Sequence, residues 1–378
     1  MNSLYPTVMA NHHMPVGKPI AFEGNIRLVE PDAFGFFYCK ITSAALAQAP
    51  EYLIHPILQR RIKTSGGLRT VAGLGTWEGW IYSDEMDNAL KFGYSFEILK
   101  GYQFDKGNLF SDYVNRMYAL RLEYDKTLAM NLIAKLLLNS LYGKFGMRTE
   151  ITRVDIYDCS DEFGQTQFKE MLDAYGETVQ DYIKIDDNFI IVRDSLVNIK
   201  YNEDEDMYHG LDVNIAIASA ITSAARVYMS MFKNRPNISL YYSDTDSVVI
   251  DAPLPDSIVG SKLGQLKLEH TIEKAVFLAP KVYALIDIDG VETIKVKGIS
   301  PEVVKELHVS DLDHLLIKDS NRIFTQEKWY KKVIEGEINI KDVAYSLSVT
   351  NNKRAPIYIN NIFEDTKPYN YDELINKN

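Results

Sequence analysis

Hydrophobic and polar positions divide this chain into alternating helical and strand-like stretches. From Leu128 to Leu141 apolar residues recur at helical spacing, and Gly143 is a natural C-terminal stop. With the stretch before it, this predicts two helices folded against each other over residues 112–146. Small and apolar residues dominate Val213–Phe232, which suits a helix buried under a sheet. In Ile238–Ile250 two β-rich apolar runs flank a short acidic turn, the pattern of a hairpin. Ser83 is placed to cap a helix running to about Lys91 that Gly93 ends, and Tyr94–Phe104 reads as a strand. Gly66-Gly67 and Val71–Gly75 are loop signals. Residues 147 to about 210 are polar, acidic and poor in helical period. Two further helices are predicted near Leu312–Ile317 and Glu327–Ile334.

Composition narrows the class. At 378 residues, with 46% hydrophobic and 25% charged residues, the chain is long enough for two or three globular domains. No apolar run approaches the ~20 residues of a bilayer crossing, so no membrane partner is expected. Cys39 and Cys159 lie far apart and fit neither a disulfide framework nor a zinc site, which makes a reducing compartment the default. The net charge of −11 argues mildly against nucleic-acid binding. Overall charge does not report on one groove, however. The acids cluster at Asp181–Asp187 and Glu203–Asp206, whereas Lys262–Lys297 and Lys353-Arg354 offer phosphate-binding charge. His12 and His13 read as surface residues rather than ligands.

Two stretches carry chemistry. In Ser243-Asp244-Thr245-Asp246 the side-chain alternation of a strand lets both carboxylates point the same way. Such a pair is either a solvated acidic turn or the seat of a hard divalent cation with oxygen ligands, Mg²⁺ foremost. On the helix, Lys135, Asn139 and Tyr142 stand four and three residues apart and share one face. That face is either one side of an ordinary amphipathic helix or a nucleotide site, with an ammonium for phosphates and a ring for a base.

Together these stretches resemble family B DNA polymerases. Tyr242–Ser247 is similar to that family's Tyr-x-Asp-Thr-Asp-Ser turn, and Lys135–Gly143 to its Lys-x-x-x-Asn-Ser-x-Tyr-Gly helix. Asn2-Ser3-Leu4-Tyr5-Pro6-Thr7 resembles the tail of its Asp-x-x-Ser-Leu-Tyr-Pro motif, and Lys281-Val282-Tyr283, followed by Lys295-Val-Lys297-Gly298, its Lys-x-Tyr motif. The long segment between the first two motifs matches the protein-primed subgroup of phages, adenoviruses and linear plasmids, including mitochondrial ones.

The resemblance implies an α+β right-hand fold: a palm of antiparallel sheet with packed helices, fingers and a thumb. Residues 1–11 would end a palm strand and its turn. Residues 12–111 would be an insertion that grips a priming (terminal) protein, or a generic palm elaboration. Residues 112–146 would be the fingers, 147–210 a second insertion, 211–299 the palm with the catalytic hairpin, and 300–378 the thumb. Primer-template DNA and dNTPs would be the partners, two Mg²⁺ ions (Mn²⁺ substituting) the cofactors, and the mitochondrion the setting, or else the host cell of a phage, virus or linear plasmid. Asp246 would bind metal directly, Asp244 directly or through another group, and the Met1 carbonyl would stand where a further ligand does. Lys135 and Arg121 would neutralise the triphosphate. Asn139 and Tyr142 would shape the base-pair pocket, and Tyr5 would exclude a ribose 2′-OH. Lys281, Tyr283 and Lys297 would hold the primer.

One departure stands out. The family's first motif begins with an aspartate three residues before the Ser, and here only Met1 and Asn2 precede Ser3. On this reading the chain is the C-terminal part of a polymerase, truncated at its N-terminus and without the exonuclease domain. An enzyme and a non-catalytic remnant that binds DNA or nucleotide are both open.

Overall fold

The computed structural model describes residues 1–43, 55–64, 67–147, 150–176, 179–197, 200–202, 207–209, 213–332 and 337–376. The chain forms two compact units. One comprises Met1–Gly143, Ala216–Arg322 and Ser346–Asn378, the other Lys144–Ile215 and Ile323–Tyr345. Residues 300–378, expected as one thumb, are thus shared between the two.

The first unit opens with helix α1 (Leu4–Asn11) where sequence predicts a strand end and turn. Leu4, Val8 and Met9 recur at helical spacing and are all buried, which favours the helix. Strands β1 (Met14–Glu23) and β2 (Gly35–Thr42) follow, then the β3–β4 hairpin (Arg60–Thr64, Gly67–Val71), β5 (Thr76–Tyr82), α2 (Ser83–Leu90) and β6 (Ser95–Gly107). β1, β6, β2 and β5 lie in that order in one antiparallel sheet. Alternation sends Phe37, Cys39 and Ile41 into a core with Met86 and Ala89 of α2. Gly93, at φ 80°, turns the chain after α2 as expected. Gly66 lies outside the described residues. Tyr371, from the far end of the chain, is fully buried in this same core, its hydroxyl donating to the Val71 carbonyl at 2.9 Å.

Helices α3 (Ser111–Glu123) and α4 (Ala129–Phe145) pair antiparallel, as predicted. Buried Asn131 donates to the Arg121 and Tyr124 carbonyls at 2.7 and 2.9 Å, satisfying the C-terminal end of α3. Tyr113 reaches the Leu137 carbonyl at the other end of the pair.

The second unit contains β7 (Glu150–Asp158), α5 (Glu162–Tyr175), β8 (Val179–Lys184) and β9 (Phe189–Val197), with a sheet in the order β7-β9-β8. A short hairpin, β10 (Lys200–Asn202) and β11 (Met207–His209), follows. The helix α5 was not legible in the sequence. Only Phe168, Met171 and Leu172 mark its inner face among polar residues, and they pack with Ile190 and Val192 of β9.

Helix α6 (Ile215–Lys233) is the helix predicted over Val213–Phe232. Contrary to the sequence expectation, it is apolar and long enough to cross a bilayer by length and composition. Nine of its residues are buried within the protein, the mark of a core helix. The predicted hairpin is β12 (Leu240–Asp244) and β13 (Ser247–Ile250). The antiparallel sheet β14 (Ile272–Ala279), β15 (Val282–Asp287) and β16 (Glu292–Val296) comes next, then α7 (Pro301–Val304) and α8 (Val309–Asp313). The helix predicted over Glu327–Ile334 is instead strand β17 (Arg322–Lys332), paired with β18 (Glu337–Leu347). Ile323, Phe324, Thr325, Trp329 and Tyr330 supply the β-branched and aromatic content that decides for strand. The hairpin β19 (Ala355–Ile359) and β20 (Ile362–Lys367) and helix α9 (Tyr371–Asn376) end the chain.

Candidate active site

The acidic hairpin closes with two loop residues. Asp244 pairs with Ser247, and Thr245 takes φ 51°. The Asp246 N–H donates back to the Asp244 carbonyl at 2.6 Å, and Thr245 Oγ1 donates to Asp244 Oδ1 at 3.1 Å. Aromatic packing fixes the hairpin from one side. The Tyr242 ring stacks on Phe277 (5.2 Å, 7°) and leans on Tyr283 (5.1 Å). The Tyr242 hydroxyl accepts the backbone N–H of Lys281 at 2.9 Å. Burial, together with Tyr242 and the charge of Asp244, raises the Tyr283 pKa.

The start of the chain meets the hairpin from the other side. The Met1 ammonium donates to the Asp246 carbonyl at 2.8 Å, across 245 positions of sequence. Asn2 is anchored by its N–H on the Gln265 carbonyl (2.9 Å) and its side chain on the Gly260 carbonyl (2.9 Å). The Met1 carbonyl accepts the Ser3 N–H at 3.0 Å. Ser3, at φ 59°, then turns the chain into α1.

That turn delivers Tyr5 to the helix pair. Its ring stacks on Tyr142 of α4, centroids 4.0 Å apart and planes 19° off parallel. Burial, Tyr142 and the charge of Asp246 raise the Tyr5 pKa. Arg121 of α3 points its guanidinium at Ser3 Oγ, 3.5 Å away, rather than pairing with Glu123 or Asp125. Lys135 and Asn139 are exposed on the α4 face that carries Tyr142. Among the described residues no hydrogen bond joins either to the hairpin.

Lys281 pairs its ammonium with Asp244 Oδ2. Lys297 lies beside it, its N–H donating to the Lys281 carbonyl at 3.0 Å. Lys353 and Arg354, which sequence offers as phosphate-binding charge, are engaged within the protein. Lys353 donates to the Thr70 carbonyl and Arg354 to Thr366.

The sequence reading missed one group near Tyr5. Glu85 of α2, nearly buried, accepts two bonds from Arg226 of α6, at 2.6 and 2.7 Å, and one from Ser223 at 2.9 Å. Arg226 is thereby committed to Glu85, and its charge lowers the Tyr5 pKa against the effect of burial. Only the Ser223–Arg226 spacing of three hinted at it.

The donors at the hairpin are hard oxygens, suited to a divalent cation. Among the described residues no cation pairs with the Asp246 carboxylate, although the Met1 ammonium rests on the Asp246 carbonyl, and the Lys281 ammonium on Asp244 would compete with a divalent cation for that carboxylate. Among the described residues no group of three or more Asp, Glu, His or Cys side chains is placed to hold a metal ion; the hairpin itself carries the two carboxylates of Asp244 and Asp246.

Comparison with known proteins gives a consistent picture. Residues 1–238 match the family of organellar and viral type B DNA polymerases. A probable DNA polymerase of Ascobolus immersus is 33% identical over 363 residues, covering 95% of this chain and 28% of the relative. One from Neurospora intermedia is 33% identical over 354 residues, covering 90% and 34%. The DNA polymerase of Streptococcus phage Cp-1 is 25% identical over 362 residues, covering 91% and 56%. The chain thus spans about a third of the length of these fungal relatives. Phi29 DNA polymerase, solved in a ternary complex with primer-template DNA and incoming nucleotide, shares the fold. The TM-score is 0.61 at 20% identity, over 93% of this chain and 57% of that one.

Proposed function

This chain belongs to the organellar and viral type B DNA polymerases, and we propose that it forms the nucleotidyl-transfer site of a DNA-directed DNA polymerase that replicates DNA from a DNA or protein primer. The carrying observation is the meeting of three distant segments at one place. Met1–Tyr5 touches the acidic hairpin through Asp246 and the helix pair through Tyr142.

In this reading Asp246, with Asp244 beside it, holds Mg²⁺ or Mn²⁺, and the Met1 carbonyl supplies a further oxygen. The cation would lower the energy of the attacking and leaving oxygens in the transfer from dNTP to primer. Lys135 and Arg121 hold the triphosphate of the dNTP on the fingers. Tyr142 and Asn139 shape the pocket for the new base pair. Tyr5, held flat against Tyr142, closes the space a ribose 2′-OH would need. Tyr283, Lys281 and Lys297 bind the primer strand near its end. The sheet of residues 12–111 is the proposed contact for a priming protein. The fungal relatives and the organellar family favour a mitochondrial setting.

One further reading is a protein that binds primer-template and dNTP with little or no turnover, since the Lys281 ammonium already occupies the Asp244 carboxylate that a metal would need. Primer extension in Mg²⁺ or Mn²⁺, paired with DNA binding, separates the two. Extension that Asp246→Asn reduces by about 10²–10³ supports the polymerase. DNA binding without extension by the unaltered chain supports the binding protein. Loss of both would remove the site assignment.

A further inference from the structure

The ammonium of Lys281 sits on the same carboxylate that the proposed metal site uses. Its placement is built rather than incidental. Lys281 occupies the turn between β14 and β15 at φ 66°, a backbone conformation that a lysine adopts only when its surroundings hold it. Two contacts do so. The Tyr242 hydroxyl, on the hairpin strand itself, takes the Lys281 N–H at 2.9 Å. Lys297 donates to the Lys281 carbonyl at 3.0 Å, and Tyr242 is in turn clamped between Phe277 and Tyr283. The β14–β15 turn and the hairpin tip are therefore locked together, with one positive charge delivered to Asp244. Asp246, two residues on, has no such partner among the described residues.

We infer that Lys281 is an internal counter-cation of the metal site. It holds Asp244 while no divalent ion is bound and exchanges that carboxylate for a phosphate of the primer strand when the ion arrives. The inference rests on the reading of Asp244 and Asp246 as metal-binding groups. An ammonium and a divalent cation cannot both neutralise one carboxylate without repelling each other, so each weakens the other's hold. A polyanion that draws the ammonium away should then strengthen metal binding, and by reciprocity metal should strengthen DNA binding. Lys281 is thus a positioning residue that couples the two ligands. Only an ammonium on a flexible stem, placed within reach of both a carboxylate and the bound strand, can make this exchange. The exchange breaks and forms only ionic contacts and hydrogen bonds, and no covalent step is involved.

The test measures Mn²⁺ binding directly, by electron paramagnetic resonance of free Mn²⁺, using the full chain with and without a short primer-template duplex. Lys281→Gln should bind Mn²⁺ about fivefold more tightly than the unaltered protein without DNA, the size expected for a partly exposed pair. Duplex should raise the affinity of the unaltered protein by a similar factor and leave that of Lys281→Gln unchanged. Lys281→Arg, which keeps the charge, should restore the unaltered protein's weaker binding without DNA. Circular dichroism of each variant establishes that the fold is kept, and Tyr242→Phe, which loosens the turn but keeps the ammonium, provides a second variant whose Mn²⁺ affinity should rise by less. Equal Mn²⁺ affinity in Lys281→Gln and the unaltered protein would overturn the inference while leaving the metal site standing. Equal binding by the unaltered protein and Asp246→Asn would remove the metal site itself, and the inference with it.

Discussion

The ring of Tyr5, five residues from the start of the chain, lies flat on the ring of Tyr142 near the end of α4, with centroids 4.0 Å apart. This contact joins the segment that touches the acidic hairpin to the helix that carries Lys135 and Asn139. It also fixes the angle of the Tyr5 ring, on which the proposed exclusion of ribonucleotides depends.

Removing the support should therefore loosen the selection. An aromatic stack is worth roughly 0.5–1.5 kcal/mol beyond the area it buries. Tyr142→Ala should lower the preference for dNTP over rNTP by about fivefold, in line with a loss near 1 kcal/mol. Tyr142→Phe should keep it. Competitive incorporation assays in an extension-competent form of the protein would measure the ratio. Equal selectivity in the alanine variant would separate the stack from sugar choice.

Glu85 and Arg226 make a stability prediction. Glu85 is nearly buried and its carboxylate is taken up by Arg226 and Ser223. Cutting Glu85 strands the Arg226 charge, but that side chain is 36% exposed, so solvent screening lowers the cost below that of a fully buried pair, to about 1–3 kcal/mol. Glu85→Ala should unfold at clearly lower urea concentration. The double variant Glu85→Leu with Arg226→Met should regain most of that loss, because no unpaired charge is left inside. Chemical denaturation of the three proteins checks both statements.

His55 sets an acid limit. Burial, and then the nearby charge of Arg354, push its pKa down from 6.5 to about 4. The folded state therefore keeps His55 neutral where the unfolded chain already binds a proton. The stability associated with the neutral ring is complete above the unfolded pKa near 6.5, and it falls away as pH drops from there toward 4. The loss over that window is about 3 kcal/mol. Urea unfolding at stepped pH should show this slope, and His55→Gln should flatten it.

The Met1 nitrogen is 2.8 Å from the Asp246 carbonyl, so a residue placed immediately ahead of Met1 would stand at the hairpin tip. A chain whose start reads Asp-x-Asn-Ser-Leu-Tyr-Pro would bring a third carboxylate to Asp244 and Asp246. Extension of a primed template should rise by about 10²–10³, the scale of a well-placed electrostatic group. An Asn at the same added position should give no such rise. Primer extension in Mg²⁺ and Mn²⁺ measures both, and an equal response to Asp and Asn would show that the added charge is idle.

Much of this protein was legible in its sequence. The hairpin around Asp244 and Asp246, the helix pair and the buried α6 follow from local rules. Alternation makes strands, 3.6-residue spacing makes helices, and an acidic two-residue break between apolar runs makes a tight turn. The motifs at Ser3–Pro6, Lys135–Gly143, Tyr242–Ser247 and Lys281–Tyr283 carried the family for the same reason, since each is contiguous.

Local rules failed where burial overrode propensity. α1 replaced an expected turn because Leu4, Val8 and Met9 found a core. α5 was hidden because its inner face is only three residues wide, and β17 became a strand because its aromatic and β-branched residues found a partner strand. The partnerships at the site lay beyond the sequence altogether. Met1 with Asp246, Tyr5 with Tyr142, Glu85 with Arg226 and Asp244 with Lys281 join positions 37 to 245 residues apart. Which ammonium reaches which carboxylate depends on how sheets and helices stack, and a charge's sequence neighbours carry no record of its neighbours in space. Sequence named the candidate groups, and packing chose their partners, Lys281 for the Asp244 carboxylate and the Met1 ammonium for the Asp246 carbonyl.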